Sequence, residues 1–148
     1  MEEITPYSPF PYGFRGDKER GAYCEIDLGN GFTRFLVIYA RAYKEDKERD
    51  EQLVSEGYTE WNRIYPEIEQ LGYIPDENTT FWLYHLDICD IDKKYLEDSD
   101  SEIFAKNAIN CKSHYFDDFY KIMDYVKEQY GVGFSDFHKD WETNYPQY

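Results

Sequence analysis

The sequence predicts a single α+β domain over residues 1–148, in which helices cover a small, mainly antiparallel sheet in the order β-β-α-β-α-α. Two features predict the sheet. One is a hairpin over residues 22–43 that turns at Gly29-Asn30-Gly31, and the other is a strand over residues 80–91. Helical periodicity between Tyr115 and Tyr130 is the third observation. A chain of 148 residues is close to the common size of one domain and can bury a core.

Both ends of the chain are rich in aromatic residues. The arm Tyr7–Phe14 also contains two prolines, which disfavour both a helix and a central strand. The tail Phe134–Tyr148 carries five aromatic side chains, each of which stabilises the fold by about 1.5–3 kcal/mol when buried. We therefore expect both ends to be ordered and to cover open edges of the sheet.

The two strands of the predicted hairpin differ in their surroundings. The first, Tyr23 to Leu28, alternates in side-chain character and leads into the glycine-rich turn. The second, Phe32 to Tyr43, is apolar on both faces between Phe35 and Tyr39. A strand of this kind is typical of the centre of a sheet that is covered on both sides.

The pattern becomes helical from Glu45 onward. Lys44 to Gln52 is a run of mixed charge that indicates the solvated face of a helix, and apolar residues continue behind it to Ile68. Gly57 and Pro66 interrupt this pattern and predict either two helices or one kinked helix. Alternation then returns over Thr79 to Ile91, the predicted third strand.

Two helices are predicted in the last third of the chain. The acidic residues from Glu97 to Glu102 suit the first turn of a short helix that continues through Asn110, because carboxylates favour the positive end of a helix dipole. Ser113 is predicted to cap the longer helix, Tyr115 to Tyr130, which a glycine then ends.

The charge of the chain is strongly negative and unevenly placed. There are 31 acidic and 16 basic residues, a formal net charge of −15, together with 16 Tyr, 10 Phe and 3 Trp. Residues 1–44 hold six residues of each sign, so residues 45–148 carry the whole excess. A field of this sign repels nucleic acids and anionic membranes and attracts basic surfaces. We therefore expect a basic protein partner and no direct binding to nucleic acid or membrane.

Other features of the composition indicate the compartment. The longest apolar run, Phe35 to Ala40, is too short to span a bilayer, and the first residues show neither a basic leader nor an apolar stretch. Cys24, Cys89 and Cys111 are an odd number of cysteines without close spacing, which favours reduced thiols. The sequence thus predicts a cytoplasmic protein.

Signals for catalysis or cofactor binding are weak. His85 and Asp87 share one face of a predicted strand, so they could form a metal or acid–base site, but no further ligand spacing accompanies them. We expect instead a histidine that contacts a neighbouring carboxylate. Cys111-x-x-His114 is half of a zinc motif, and no phosphate-binding glycine motif is present. No metal, no cofactor and no enzymatic activity are therefore expected.

The hypothesis that fits these features is an acidic protein inhibitor that masks the basic, nucleic-acid-binding surface of a nuclease or another DNA/RNA-acting protein. Its composition compares with that of immunity proteins for nuclease toxins and phage DNA mimics, in which carboxylates occupy phosphate positions and aromatic anchors fill pockets. The alternatives are a small-molecule or nucleotide-binding module and, third, a small hydrolase using His85 and Asp87. The residues expected to bind the partner are Asp87, Asp90, Asp92, Glu97, Asp98, Asp100, Glu102, Asp117, Asp118, Asp124, Tyr145 and Tyr148.

Overall fold

A four-stranded antiparallel sheet forms the centre of the molecule. The structure is a computed structural model and describes residues 4–5, 7–57, 65–76, 81–96 and 108–145. The strands are β1 (Ala22–Asp27), β2 (Phe32–Ala42), β3 (Trp82–Asp92) and β4 (Ala108–Phe116), and they lie side by side in chain order. The predicted α+β class and the antiparallel sheet are confirmed.

Three helices of the described ranges lie between β2 and β4, and a fourth helix and two short turns follow β4. The helices are α1 (Tyr43–Ser55), α2 (Tyr65–Leu71), α3 (Lys93–Leu96) and α4 (Phe119–Tyr130), followed by 3-10 turns at Phe134–Asp136 and Asp140–Glu142. Within the described ranges, no helix has the length and apolar character that a membrane span needs.

The fourth strand corrects two predictions from sequence. Residues 108–110 were expected to end a short helix and Ser113 to cap a longer one, but all belong to β4. Backbone pairing with β3 determines this outcome, since Tyr84 faces Phe116 and Asp87 faces Ser113 across the ladder. The register shifts between Ile88 and Asp90, and Asn110 lies there at a φ of 55°, which an asparagine tolerates better than most residues.

Helix α4 therefore begins at Phe119, later than predicted. Its N-cap is Asp118, whose carboxylate accepts hydrogen bonds from the backbone N–H groups of Tyr120 (2.7 Å) and Lys121 (3.4 Å). The helix ends at Gly131 as predicted, with a φ of 70° that favours glycine.

The main core lies between one face of the sheet, helix α4 and both ends of the chain. Phe119, Ile122 and Val126 of α4 are buried against large side chains of β2 and β3. Phe10 and Phe14 of the arm and Phe137 of the tail complete the same cluster. The described parts of both ends therefore contribute to the core. The arm is held to the sheet by a hydrogen bond of 2.5 Å from Tyr84 Oη to the carbonyl oxygen of Pro9.

Candidate functional site

The other face of the sheet carries a row of polar and aromatic side chains across strands β2, β3 and β4. Tyr39 of β2 faces His85 of β3, and His85 in turn faces Tyr115 of β4. Asp87 faces Ser113 in the next pair of the same ladder. The strand spacing therefore brings His85 and Asp87 to one face, as the sequence predicts, and the sheet adds the serine and the two tyrosines.

Asp87 is the centre of this cluster. The Ser113 hydroxyl donates a hydrogen bond of 2.7 Å to Asp87 Oδ1. His85 Nε2 lies 2.7 Å from the same oxygen, but the two atoms do not have the geometry of a hydrogen bond. Burial alone would raise the pKa of Asp87, but the contacts with His85 and Ser113 outweigh it and hold the pKa below its usual range. The carboxylate is thus stabilised in its charged form.

This arrangement differs from a nucleophilic triad. In a Ser–His–Asp relay the imidazole stands between the hydroxyl and the carboxylate, so that it can take the hydroxyl proton. Here the Ser113 hydroxyl donates its hydrogen bond directly to Asp87, and the His85 ring packs 4.6 Å from the Tyr115 ring. Within the described part of the chain, no group of three or more His, Cys, Asp or Glu side chains converges to hold a metal. The cluster links β3 to β4 through the hydrogen bond between Ser113 and Asp87.

Cys111 and His114, the residues of the half zinc motif, make contacts with different parts of the structure. His114 Nε2 lies 3.0 Å from Tyr125 Oη of helix α4, on the main-core side of the sheet. Burial lowers the pKa of His114, and the charge of Lys112 lowers it further. Cys111 is exposed, and its thiol contacts the Ile109 carbonyl oxygen at 3.9 Å.

Asp90, one of the residues expected to bind the partner, is a buried carboxylate that pairs within the sheet. Its side chain is 3% exposed, and the Arg34 guanidinium binds both of its oxygens, at 2.7 and 2.9 Å. Asn110 donates a further hydrogen bond of 3.0 Å. Burial would raise the pKa of Asp90, but these partners outweigh it and lower the pKa. A paired, buried charge of this kind contributes little to the outer field.

The other expected partner-binding residues lie in different surroundings. Tyr145 is half-buried against the rings of Tyr23 (4.9 Å) and Phe35 (5.2 Å), so it belongs to the fold rather than to an open surface. Asp92 caps the short helix α3 through the Lys94 N–H at 3.0 Å. The residues that lie outside the described ranges are Glu97, Asp98, Asp100, Glu102 and Tyr148.

Asp117, Asp118 and Asp124 lie together on α4 and the residues before it. Asp118 is exposed while it caps the helix, and Asp124 is exposed one turn further along. Asp117 accepts a hydrogen bond from the Tyr73 hydroxyl and pairs with Lys121 Nζ at 2.9 Å. This contact brings the end of α2 to the start of α4.

Acidic residues are also concentrated in the layer formed by α1 and α2. Residues 43–57 and 65–76 together contain nine carboxylates and three cationic side chains. Asp46 and Asp50 of α1 are buried, and Asp46 pairs with Arg41 at 2.7 Å. The carboxylate residues exposed to solvent are Glu45, Glu48, Glu51, Glu56, Glu69 and Asp76.

Three exposed aromatic residues lie near the start of α4, and we call them the aromatic rim. Tyr120 is 50% exposed, Tyr73 48% and Phe134 40%. Exposed aromatic side chains at this density mark contact surfaces more often than they mark inert surface. Sequence reasoning missed the rim, because aromatic content alone does not show which rings enter the core.

The rim rests on a rigid base. The buried Phe119 ring contacts the rings of Tyr120 (5.3 Å) and Phe134 (6.4 Å), and Phe14 contacts Phe134 at 5.1 Å. Tyr73 is held through Asp117. Rings that are fixed before binding lose little conformational freedom on contact, which favours their use as anchors.

No protein-family model, no curated protein and no solved structure matches this chain. The inference about function therefore rests on the chemistry of these surfaces.

Proposed function

We propose that the protein is an acidic inhibitor that binds and masks the basic, nucleic-acid-binding surface of a nuclease or another DNA/RNA-acting protein. The observation that carries this proposal is the aromatic rim beside the carboxylates at the start of α4. The rim supplies tyrosine and phenylalanine anchors, and Asp117, Asp118 and Asp124 supply negative charge next to them. Binding energy at protein interfaces is concentrated in such aromatic anchors.

The two kinds of residue have different roles in this proposal. Carboxylates placed where phosphates would otherwise lie give complementarity to a groove that has evolved to hold nucleic acid. The exposed acids of the α1–α2 layer add a long-range field, which accelerates encounter with a cationic partner at low salt. The aromatic rim then sets the lifetime of the complex, since contacts at the interface centre govern dissociation.

Two classes of inhibitor would use carboxylates and aromatic anchors in this way. An immunity protein protects the cell that makes a nuclease toxin, and a phage anti-defence protein imitates DNA to block a host enzyme. In the proposed complex, this protein covers the nucleic-acid-binding site itself. The proposal therefore requires that this protein and an oligonucleotide compete for the same partner.

The experiment begins with partner capture through a photoreactive amino acid at Phe134, in the middle of the aromatic rim. The captured partner is then produced alone and loaded with a fluorescent 20-nucleotide duplex. Wild-type protein should displace the duplex, and the association rate should fall steeply as salt rises. Tyr73→Ala combined with Tyr120→Ala should weaken inhibition by about 30-fold, the effect of losing roughly 2 kcal/mol of anchor contacts.

A matched control removes an exposed aromatic ring away from the rim. Trp141 is 60% exposed, so Trp141→Ala should leave inhibition unchanged. Three results would refute the proposal: a captured partner that binds no nucleic acid, a duplex that stays bound at saturating protein, or equal weakening by the rim and control variants.

The arm supports a second candidate function, a small-molecule or nucleotide-binding module. A cleft of about 490 Å³ lies along the arm, and its lining includes Tyr12, Phe10 and Lys18. An aromatic ring and a cation at one cleft suit an anionic aromatic ligand. Trp82, which lies 5.9 Å from Lys18 Nζ, is a fluorescent reporter for this cleft. Titration with mononucleotides should quench Trp82 if the cleft binds them, and Lys18→Ala should abolish the quenching.

A further inference from the structure

Strand β1 forms one edge of the sheet, and its backbone alternates between two directions. The hydrogen bond of 3.1 Å from the Leu28 N–H to the Phe32 carbonyl oxygen fixes this alternation, because every second residue of an antiparallel strand bonds its neighbour. Tyr23, Glu25 and Asp27 consequently direct their backbone N–H and C=O groups away from β2.

The tail pairs with only the first of these three residues. Tyr23 and His138 exchange two backbone hydrogen bonds, of 2.8 and 2.7 Å. The chain before His138 then leaves the edge in the 3-10 turn Phe134–Asp136. Across the described ranges, the outward backbone groups of Glu25 and Asp27 have no hydrogen-bond partner. An open edge of this kind is a template for another strand.

A cleft of about 500 Å³ lies along this open edge. Its floor includes Cys24 and Ile26, and Val132 adds apolar surface to its wall. The cleft is bounded by β1 on one side, and the residues that form the other side are Val132, Asp136, His138, Glu142 and Thr143. The cleft follows the strand direction, which suits an extended chain rather than a compact ligand.

Four carboxylates line the cleft, and they differ in how their charge is balanced. Asp27 is paired with Lys93 Nζ at 2.8 Å, and Glu142 is paired with Arg15. The other two carboxylates, Glu25 and Asp136, accept hydrogen bonds from neutral N–H groups. Glu25 accepts from the backbone and side-chain N–H groups of Asn144, at 3.0 and 2.7 Å. Asp136 accepts from the Gly133 N–H at 2.8 Å.

Glu25 and Asp136, the two carboxylates that have neutral partners, act electrostatically on the floor of the cleft. Burial raises the pKa of the Cys24 thiol to about 12, and the charges of Asp136 and Glu25 contribute to the rise. Both carboxylates therefore act at the same place, where a cation entering the cleft would be stabilised.

We propose that this cleft binds an extended peptide that carries lysine or arginine, by addition of a strand to the edge of β1. The peptide backbone pairs with Glu25 and Asp27, and one basic side chain lies between Glu25 and Asp136. Strand addition obtains affinity from backbone hydrogen bonds and specificity from alternate side chains. A second copy of this chain is a poor occupant, since pairing two acidic β1 edges would set like charges opposite each other.

This surface goes beyond the proposed inhibitor function and is separate from the aromatic rim. It requires no nucleic-acid-binding partner, so an oligonucleotide competition that failed would leave it standing. Conversely, loss of peptide binding would leave the inhibitor proposal untouched.

The test uses the full-length protein and a fluorescein-labelled pentapeptide, Thr-Lys-Val-Lys-Thr, in anisotropy titrations at low salt. Two further peptides of the same charge carry N-methyl groups. In one peptide the methylated amides are those that would donate hydrogen bonds to β1, and in the other they are those that point away from β1. We expect that one N-methylated peptide loses binding and the other retains it. Amide NMR signals of Glu25 and Asp27 should shift with the unmodified peptide.

Charge variants complete the design. Asp136→Asn keeps an acceptor for the Gly133 N–H, and Glu25→Gln keeps one of the two acceptors for Asn144. Each should weaken binding about threefold, the effect of one exposed ion pair. The matched control, Glu48→Gln with Asp124→Asn, removes two exposed charges elsewhere and should leave binding unchanged.

Four results would overturn the proposal. They are equal binding of both N-methylated peptides and the parent peptide, equal weakening by the cleft and control variants, amide shifts confined to residues outside the cleft, and dimerisation of the free protein through β1.

Discussion

The packing of Phe137 gives a direct test of whether the tail is part of the core. Phe137 is 0% exposed, and its ring lies 5.6 Å from that of Phe14. Removing a buried phenylalanine ring by substitution with alanine costs about 3–5 kcal/mol, because apolar burial is lost and a cavity remains. For a domain of this size, each kcal/mol lowers the melting temperature by about 2–4 °C. Phe137→Ala should therefore lower it by roughly 10 °C.

A second phenylalanine in the same segment provides the control. Phe134 is 40% exposed, so Phe134→Ala should cost roughly 1 kcal/mol. Urea unfolding, followed by tryptophan fluorescence and by far-UV circular dichroism, gives the free energy of unfolding of each variant. The free energies can be compared if both probes give the same unfolding transition and the dependence on urea concentration (the m-value) is unchanged. If the two variants differ by less than about 1 kcal/mol, the tail does not complete the core and the packing described above is wrong.

Three further predictions concern charge, capping and thiol chemistry. Because its partners lower the pKa of Asp90, its contribution to stability is present above the unfolded-state value of about 3.9 and is lost as pH falls through the folded-state value. Asp90→Asn should therefore flatten the stability curve below about pH 4 in acid unfolding experiments. Asp118→Ala should lower stability by about 1 kcal/mol through loss of the helix cap, whereas Asp124→Ala, in mid-helix, should change it by less than about 0.5 kcal/mol in urea unfolding. Exposed Cys111 should react with a disulfide reagent at neutral pH, while Cys24, with its raised pKa, should stay unreacted until the protein unfolds; equal rates would contradict this.

The parts of the fold that follow from local pattern were predictable. Gly29 and Gly31 both have a positive φ in the turn between β1 and β2, which is the reason that a glycine-rich turn predicts a hairpin. The apolar run from Phe35 to Val37 is buried at the centre of the sheet, because strands covered on both faces need apolar residues at consecutive positions.

The fourth strand could not be predicted in the same way. Its residues Cys111, Lys112 and Ser113 are all exposed or polar, so they show no alternation that would indicate a buried face. Pairing with β3, which lies distant in sequence, determines their conformation. The N-cap of α4 was predicted at the wrong residue for the same reason. Ser113 and Asp118 are both good capping residues, and the helix begins after Asp118 because β4 extends to Phe116.

The candidate sites were predictable only in part. The spacing of His85 and Asp87 places them on one face, but Ser113 joins them through a contact between strands that no short motif encodes. Asp90 and Asp124 look alike in the sequence, yet one is buried with Arg34 and the other is exposed. Burial depends on long-range packing, and composition does not reveal it.

The contact between Phe14 and Phe137 has a consequence for synthesis of the protein. The two rings come from opposite ends of the chain and close over the same helix, so the main core is incomplete until residue 137 is present. A ribosome shields the last few tens of residues of a growing chain in its exit tunnel. The main core therefore cannot close until Phe137 has left the tunnel, and chains that stop before this residue expose phenylalanine to chaperones and proteases.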